Sequence, residues 1–250
     1  MRVTLPLAVL VLWAGTALLG PELPIAPDRI ELAHILEGPG AGAWLGYDEL
    51  GRPLLDRLVA GARTSFVVAV IVVGISLVIG TVVGTASAWV GGAWDHVIVR
   101  VIDVFLAFPG ILLAIALAGI LGPGLANVVI ALAAVGWVGF ARLARAQALS
   151  VKRREHVQAA VALGTRTPRI IAVHLLPLVA APLIVEATFA VAGVIIAEAG
   201  LSFLGLGVQP PAASWGSVIR EGTRYMLVAP HLVLAPGACV LLVVMAVNLA

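Results

Sequence analysis

Residues 150–177 read Ser-Val-Lys-Arg-Arg-Glu-His-Val-Gln-Ala-Ala-Val-Ala-Leu-Gly-Thr-Arg-Thr-Pro-Arg-Ile-Ile-Ala-Val-His-Leu-Leu-Pro. Lys152, Arg153 and Arg154 open this island, and Arg166 and Arg169 follow. Apolar runs long enough to cross a bilayer stand on both sides of it. A basic loop held between membrane spans is placed to meet either something soluble or the charged face of the membrane itself.

The composition sets the class. Of 250 residues, 62% are hydrophobic and 11% charged. Soluble globular domains carry about 25% charged residues. A water-soluble fold of this size has too little interior for so much apolar surface, so this reads as an all-α membrane protein. The one cysteine, Cys239, lies in an apolar run. It supplies no disulfide framework and no metal cluster, and it reads as a small buried hydrophobe.

Six transmembrane helices are predicted. Residues 3–20, apolar behind Arg2, are long for a signal h-region and read as a retained first span. Residues 21–62 are polar, acidic and rich in Pro and Gly. Only Glu49–Ala62 shows a helical period there, through Leu50, Leu54, Leu55, Leu58 and Val59, and it predicts a short amphipathic helix at the interface. Thr64–Val90 is the second span, with Gly80 and Gly84 at the spacing that lets helix backbones approach in lipid. Gly91-Gly92 ends it. Residues 97–120 form the third span, interrupted at Pro109-Gly110, where a proline kinks a helix or starts a new one. Residues 125–147 and 178–199 form the fourth and fifth. Residues 200–228 read as an irregular turn and a short amphipathic helix with interfacial aromatics such as Trp215. The last run, 229–250, is still apolar at its end, and a short polar tail beyond it is expected. The division expected is 1–62, an N-terminal span with its extracytoplasmic segment, and 63–250, the transport body.

Lys and Arg counts orient such a chain. Arg2, Arg100, Arg142, Arg145, Lys152, Arg153, Arg154, Arg166 and Arg169 fall on the side of the island. Arg29, Arg52, Arg57, Arg63, Arg220 and Arg224 fall on the other, together with most of the acids. The island is therefore placed in the cytoplasm. An even number of spans puts both termini there too, and residues 21–62 outside.

Within the island, Val157, Ala160, Val161 and Gly164 recur at i, i+3, i+4 and i+7, the pattern of a short amphipathic helix. Gly164 suits the left-handed residue that closes a helix. Thr167-Pro168 reads as an N-cap followed by proline at the first helical position, and Pro177 stands at the entry to the next span. Ala159 and Ala160 leave room for a partner's backbone. Spacing alone serves two readings equally well: a protein-docking helix, or an interfacial helix resting on anionic lipid.

The pattern Gln158-Ala-Ala-x3-Gly164-x9-His174-x-Leu176-Pro177 resembles the EAA loop of binding-protein-dependent ABC transporter permeases, with Gln for the family's glutamate and His for its isoleucine. Further stretches resemble the dipeptide, oligopeptide and nickel branch of that family. They are Leu45-Gly-Tyr-Asp-Glu-Leu-Gly-Arg-Pro, Gly61-Ala-Arg63, Asp103-x4-Phe108-Pro109, Gly122-Pro-Gly124, and Ala197-Glu-Ala-Gly-Leu-Ser-Phe-Leu-Gly-Leu-Gly-Val-Gln-Pro-Pro211 with Trp215-Gly216. The resemblance covers about 45–250. It implies a type I ABC importer permease (MetI-like) architecture in a bacterial inner membrane. It also implies partners: a second permease subunit in a heterodimer, two cytoplasmic ABC ATPase subunits, and an extracytoplasmic substrate-binding protein. By the same resemblance Gln158, Ala159, Ala160, Gly164, His174 and Pro177 belong to the ATPase-coupling loop, and residues 21–62 and 200–228 meet the binding protein.

No Gly-x4-Gly-Lys-Ser/Thr phosphate loop occurs, so ATP is expected on the partner subunits and no cofactor on this chain. The histidines His34, His96, His156, His174 and His231 lack metal-ligand spacing, no catalytic constellation is legible, and nothing points to nucleic acid. Ionisable groups inside a membrane are costly and often functional. Asp103 with Pro109, Glu186 in mid-span, and Glu198 near the outer end are therefore the pathway and gate candidates. For Asp103 an i,i+3 pair with Arg100 is the simpler expectation. Glu198 without an adjacent His points to peptide substrates. The alternatives are an importer of nickel or another small solute, and a self-contained proton-coupled secondary transporter. The latter leaves the loop without a purpose.

Overall fold

The computed structural model describes residues 4–40 and 43–250, so Arg2, used above in the charge count, lies outside the described residues. Ten α-helices hold the described chain: α1 (Thr4–Leu19), α2 (Leu54–Val90), α3 (Gly92–Leu106), α4 (Gly110–Leu121), α5 (Leu125–Val151), α6 (Glu155–Ala162), α7 (Thr167–Ile170), α8 (Leu176–Phe203), α9 (Trp215–Thr223) and α10 (His231–Leu249). A π-helical turn, Ile171–Leu175, joins α7 to α8. Among the described residues the only β pairing is an isolated bridge between Tyr47 and Pro53.

Of the six predicted spans, four are found as single helices and a fifth as a bent pair, while the first is a shorter apolar helix. Four helices are long and apolar enough to cross a bilayer: Leu54–Val90, Leu125–Val151, Thr167–Phe203 and His231–Leu249. The third predicted span is broken, α3 and α4 meeting at 86°. Proline at 109 has no N–H for a continuing helix. Its carbonyl instead accepts from Leu112 and Leu113 N–H, so a new helix starts there. The first predicted span is the shorter α1, of 16 residues. The amphipathic helix expected over Glu49–Ala62 is not separate. Residues 49–53 form a turn with Gly51 at φ +71° and a bridge at Pro53. The rest, from Leu54, is the first part of α2, whose 37 residues extend about 55 Å at 1.5 Å each. The uncharged stretch from Thr64 onward already spans about 30 Å of hydrocarbon, so the turns bearing Asp56, Arg57 and Arg63 stand at or beyond its edge.

The chain packs as two compact units, each discontinuous in sequence. The first takes the described residues up to Ile71, then Ile115–Ala131 and Val191–Ala250. The second takes Val72–Ala114 and Leu132–Ala190.

In the first unit, Trp13 of α1, Leu54 and Leu58 of α2, Ile195 of α8, Trp215 of α9 and Leu232 and Val243 of α10 form one core. Trp215 is not interfacial as the sequence led us to expect. It is 2% exposed, and its indole N–H donates to the Leu58 carbonyl at 3.0 Å. The absence of a side chain at Gly61 makes room: a Cβ there would stand 2.8 Å from Trp215 Cδ1. Ser214 and Ser217 close a capping box at the start of α9. The polar segment is tied to this core by charge. Arg52 Nε donates to Asp48 at 2.6 Å, and Arg57 Nη2 donates to Glu221 at 2.7 Å. Asp48, Glu49 and Glu221 offer oxygens within 4.8 Å of one another, but Arg52 and Arg57 answer their charge, so the cluster is an ion-pair network.

In the second unit α2 and α5 approach at small residues. A Cβ on Gly80 would meet Phe140 Cβ at 2.5 Å, and one on Gly84 would collide with the Ala141 carbonyl. Apolar burial drives little association in lipid, so such backbone contact carries the packing. Ile102, Val138 and Ala141 form the adjoining core, with Phe105 edge-on to Trp137 at 5.7 Å.

Candidate coupling site

The island lies wholly in the second unit, where it folds as α6, a tight turn and α7. Glu155 sits in the first turn of α6, where the helix dipole favours an acid. At the other end Gly164, at φ +74°, closes the helix. Its N–H donates to Val161 O and the Thr165 N–H donates to Ala160 O, both at 3.0 Å. That pair of bonds is a Schellman cap. A Cβ on Gly164 would meet nothing within 4 Å, so the turn points into open space.

The face of α6 differs from the predicted stripe. Val157 and Ala160 are buried, whereas Val161 is 47% exposed and Leu163 85% exposed. Gln158, Ala159 and Gly164 are exposed as well. The short helix therefore presents a small apolar patch, flanked along the chain by Arg153, Arg154, Arg166 and Arg169, all exposed. Periodicity placed Val161 inside and passed over Leu163, because an eight-residue helix has too few turns to fix its buried face.

The second helix begins one residue earlier than expected. Arg166 is the N-cap, Pro168 falls within the first two helical positions, and no side chain caps it. Pro177 explains the π turn before α8. A proline there deprives the Val173 carbonyl of its i+4 donor, and the turn is wound wider, with Leu176 N–H donating to Ile171 O. His174 lies in that turn, its ring 6.0 Å from His156 of α6.

Polar joints that the sequence did not reveal fix the base of the loop. Lys152 Nζ donates to the Trp89 carbonyl at 2.6 Å, and stands 5.2 Å from the Trp89 ring centroid. A cation thus meets the free carbonyls at the end of α2. Gln158 Nε2 donates back to the Lys152 carbonyl at 2.7 Å. Arg145 of α5 forms a two-pronged pair with Asp95 of α3, both bonds 2.6 Å, and Ser87 of α2 donates to the same carboxylate. The ends of α2, α3 and α5 are thereby tied at the root of α6. The spacing of Asp95 and Arg145, fifty residues apart, gave no local signal of this pair.

The other predicted site residues are not gathered with the loop. Asp103 is exposed and stands 3.8 Å from Arg100 Nη1, the expected i,i+3 geometry. Pro109 is exposed at the break between α3 and α4. Glu186 is exposed on α8, its Oε1 4.0 Å from where a Cβ on Gly139 would stand. Glu198, in the first unit, is fully buried. Ser202 and Ser65 donate to its two oxygens at 2.7 and 3.1 Å. It joins α8 to α2 rather than facing an opening.

These features coincide with a known group of proteins. The chain belongs to the family of binding-protein-dependent transport system inner membrane components, which it matches over residues 76–250. It is the permease subunit of an ABC importer, a multi-pass membrane transport protein rather than an enzyme, and it works with the other subunits of such a system. It is 39% identical over 224 residues to the glutathione transport system permease protein GsiD of Pectobacterium atrosepticum, covering 90% of this chain and 74% of that one. It is 42% identical over 214 residues to the dipeptide transport system permease protein DppC of Alkalihalophilus pseudofirmus, covering 86% and 70%. Among solved structures it is similar to the MetNI methionine ABC transporter in inward-facing conformations, with a TM-score of 0.62 at 18% identity, covering 78% of this chain and 95% of that chain. That likeness is one of fold, the type I (MetI-like) importer permease.

Proposed function

We propose that this chain forms half of the translocation pathway of an ATP-driven importer for di- or oligopeptides, coupled through α6 to a cytoplasmic ATPase. The observation that carries the coupling is the exposed patch Ala159-Val161-Leu163 with Gly164 at its tip, on a helix whose root is bonded to α2, α3 and α5. An apolar patch beside arginines would suit a protein groove or anionic lipid alike. The likeness of Gln158-Ala-Ala-x3-Gly164 to the EAA loop favours the groove, and the bonded base of α6 would pass a push on to the membrane helices. The peptide substrate class is supported by the relatives that transport glutathione and dipeptides.

In this reading Gln158, Ala159, Ala160 and Gly164 touch the ATPase, while His174 and Pro177 shape the wide turn that carries the loop into α8. The chain has a second permease as partner, with two ATPase subunits that bind the ATP and an extracytoplasmic binding protein. The loop and both termini face the cytoplasm, residues 1–62 form the N-terminal addition, and 63–250 form the transport body. Glu186, Asp103 and Pro109 line or gate the path. The burial of Glu198 favours a structural role for it.

The test is reconstitution of the assembled transporter carrying Gly164→Trp, with Gly164→Asn as control. A non-glycine residue at this φ costs about 1 kcal/mol, and Asn tolerates it best. The Trp variant is expected to assemble in the membrane, bind the loaded binding protein normally, and lose peptide uptake. Uptake at the wild-type rate would overturn the docking role of α6.

A further inference from the structure

Arg63 marks the point on α2 where charged turns give way to the uncharged stretch beginning at Thr64. It is exposed. Among the described residues it has no ion-pair or hydrogen-bond partner, and neither has Asp28. An arginine at a membrane boundary ordinarily reaches out to bulk headgroups, but here it is a wall of two hollows in the first unit. One, of about 380 Å³, also has Asp28, Thr64, Ile25 and Ala213 in its lining. The other, of about 300 Å³, runs beside α1 and α2 past Leu18, Phe66, Val67, Val70 and Ile71. The turn carrying Asp28 is held against α2, because Ala26 N–H donates to Asp56 Oδ2 at 2.9 Å and Arg29 N–H donates to Ala26 O at 3.1 Å.

A cation, an anion and an apolar groove thus meet at one residue. Leu18 is 66% exposed and Val70 55%, so the groove is open. We propose that this is a binding site for a zwitterionic phospholipid with a phosphoethanolamine headgroup. The phosphate lies on the Arg63 guanidinium and the primary ammonium on the Asp28 carboxylate, with one acyl chain along Leu18, Val67 and Val70. Arginine's planar fork suits a phosphate. An anionic glycerol headgroup brings no cation for Asp28, and a choline headgroup carries no N–H to donate to it. A peptide substrate has the same two charges but no tail to fill the groove. The site depends on α2 crossing the membrane, and not on the substrate proposed above.

The assembled transporter, purified and stripped of lipid, is titrated with phosphatidylethanolamine, phosphatidylglycerol or phosphatidylcholine, and binding is read by native mass spectrometry and thermal unfolding. Phosphatidylethanolamine is expected to be retained at one site per copy of this chain, about tenfold tighter than the other two, a difference of about 1.4 kcal/mol. Asp28→Asn should erase the preference over phosphatidylglycerol, and Arg63→Gln should weaken retention of all three. Equal affinity for the three lipids overturns the proposal, as does an unchanged preference in Asp28→Asn or displacement of the lipid by a dipeptide. If Arg63→Gln fails to assemble, the comparison of headgroups on the unaltered protein decides alone.

Discussion

Glu49 shows how a single residue is governed by surroundings that lie far away in sequence. Burial pushes its carboxyl above the ordinary Glu value, and the Asp48 and Glu221 charges push the same way, against a backbone hydrogen bond and Arg52. The folded state therefore holds this proton more tightly than the unfolded chain. The group's share of stability is present in full below the ordinary Glu range and is lost as pH rises through the raised value. Glu49→Gln removes that loss. Thermal unfolding in detergent should show the variant gaining on the wild type from pH 4 to pH 7, and a constant difference would count against the sign. At Gly164 the sequence alone sufficed, because a left-handed cap is written in one residue. Leu163, its neighbour, was missed because exposure is not a local property.

At the scale of elements, α3 and α5 are joined by one strong contact. Asp95 and Arg145 are half-buried, and their paired bonds are of the charge-assisted, two-pronged kind. Asp95→Asn should cost about 1.5–3 kcal/mol of stability. The same variant should also loosen the root of α6, so the ATPase would run faster without substrate while uptake per ATP falls. Wild-type coupling together with a lowered unfolding temperature would confine the pair to a structural role. Most of the helices were legible, since predominantly apolar runs of about twenty residues mark spans even when they carry one or two charges. The merging of residues 54–62 into α2 was not. An amphipathic period continued by an apolar one looks like two elements, and no breaker stands between them. The 86° break at Pro109 was half legible: proline announces an interruption, but its angle depends on what the two helices pack against.

For the whole molecule, the proposal of a driven pathway makes a simple demand. Proteoliposomes holding this chain without its partner subunits should show no peptide uptake under a proton gradient, and uptake should require the ATPase subunits and ATP. Gradient-driven uptake by the chain alone would instead favour the secondary-transporter reading.

The sequence by itself determined the class, most of the spans and the position of the loop along the chain. Composition and hydropathy report on the solvent each segment prefers, and the motif around Gln158 and Gly164 is contiguous. Only the tertiary structure decided which charges are paired and which are free. Arg52, Arg57 and Arg145 look the same in sequence as Arg63, yet the first three are paired with carboxylates, while Arg63 stands open between two hollows. Pairing depends on distance in space between residues remote along the chain, and no local pattern encodes that distance.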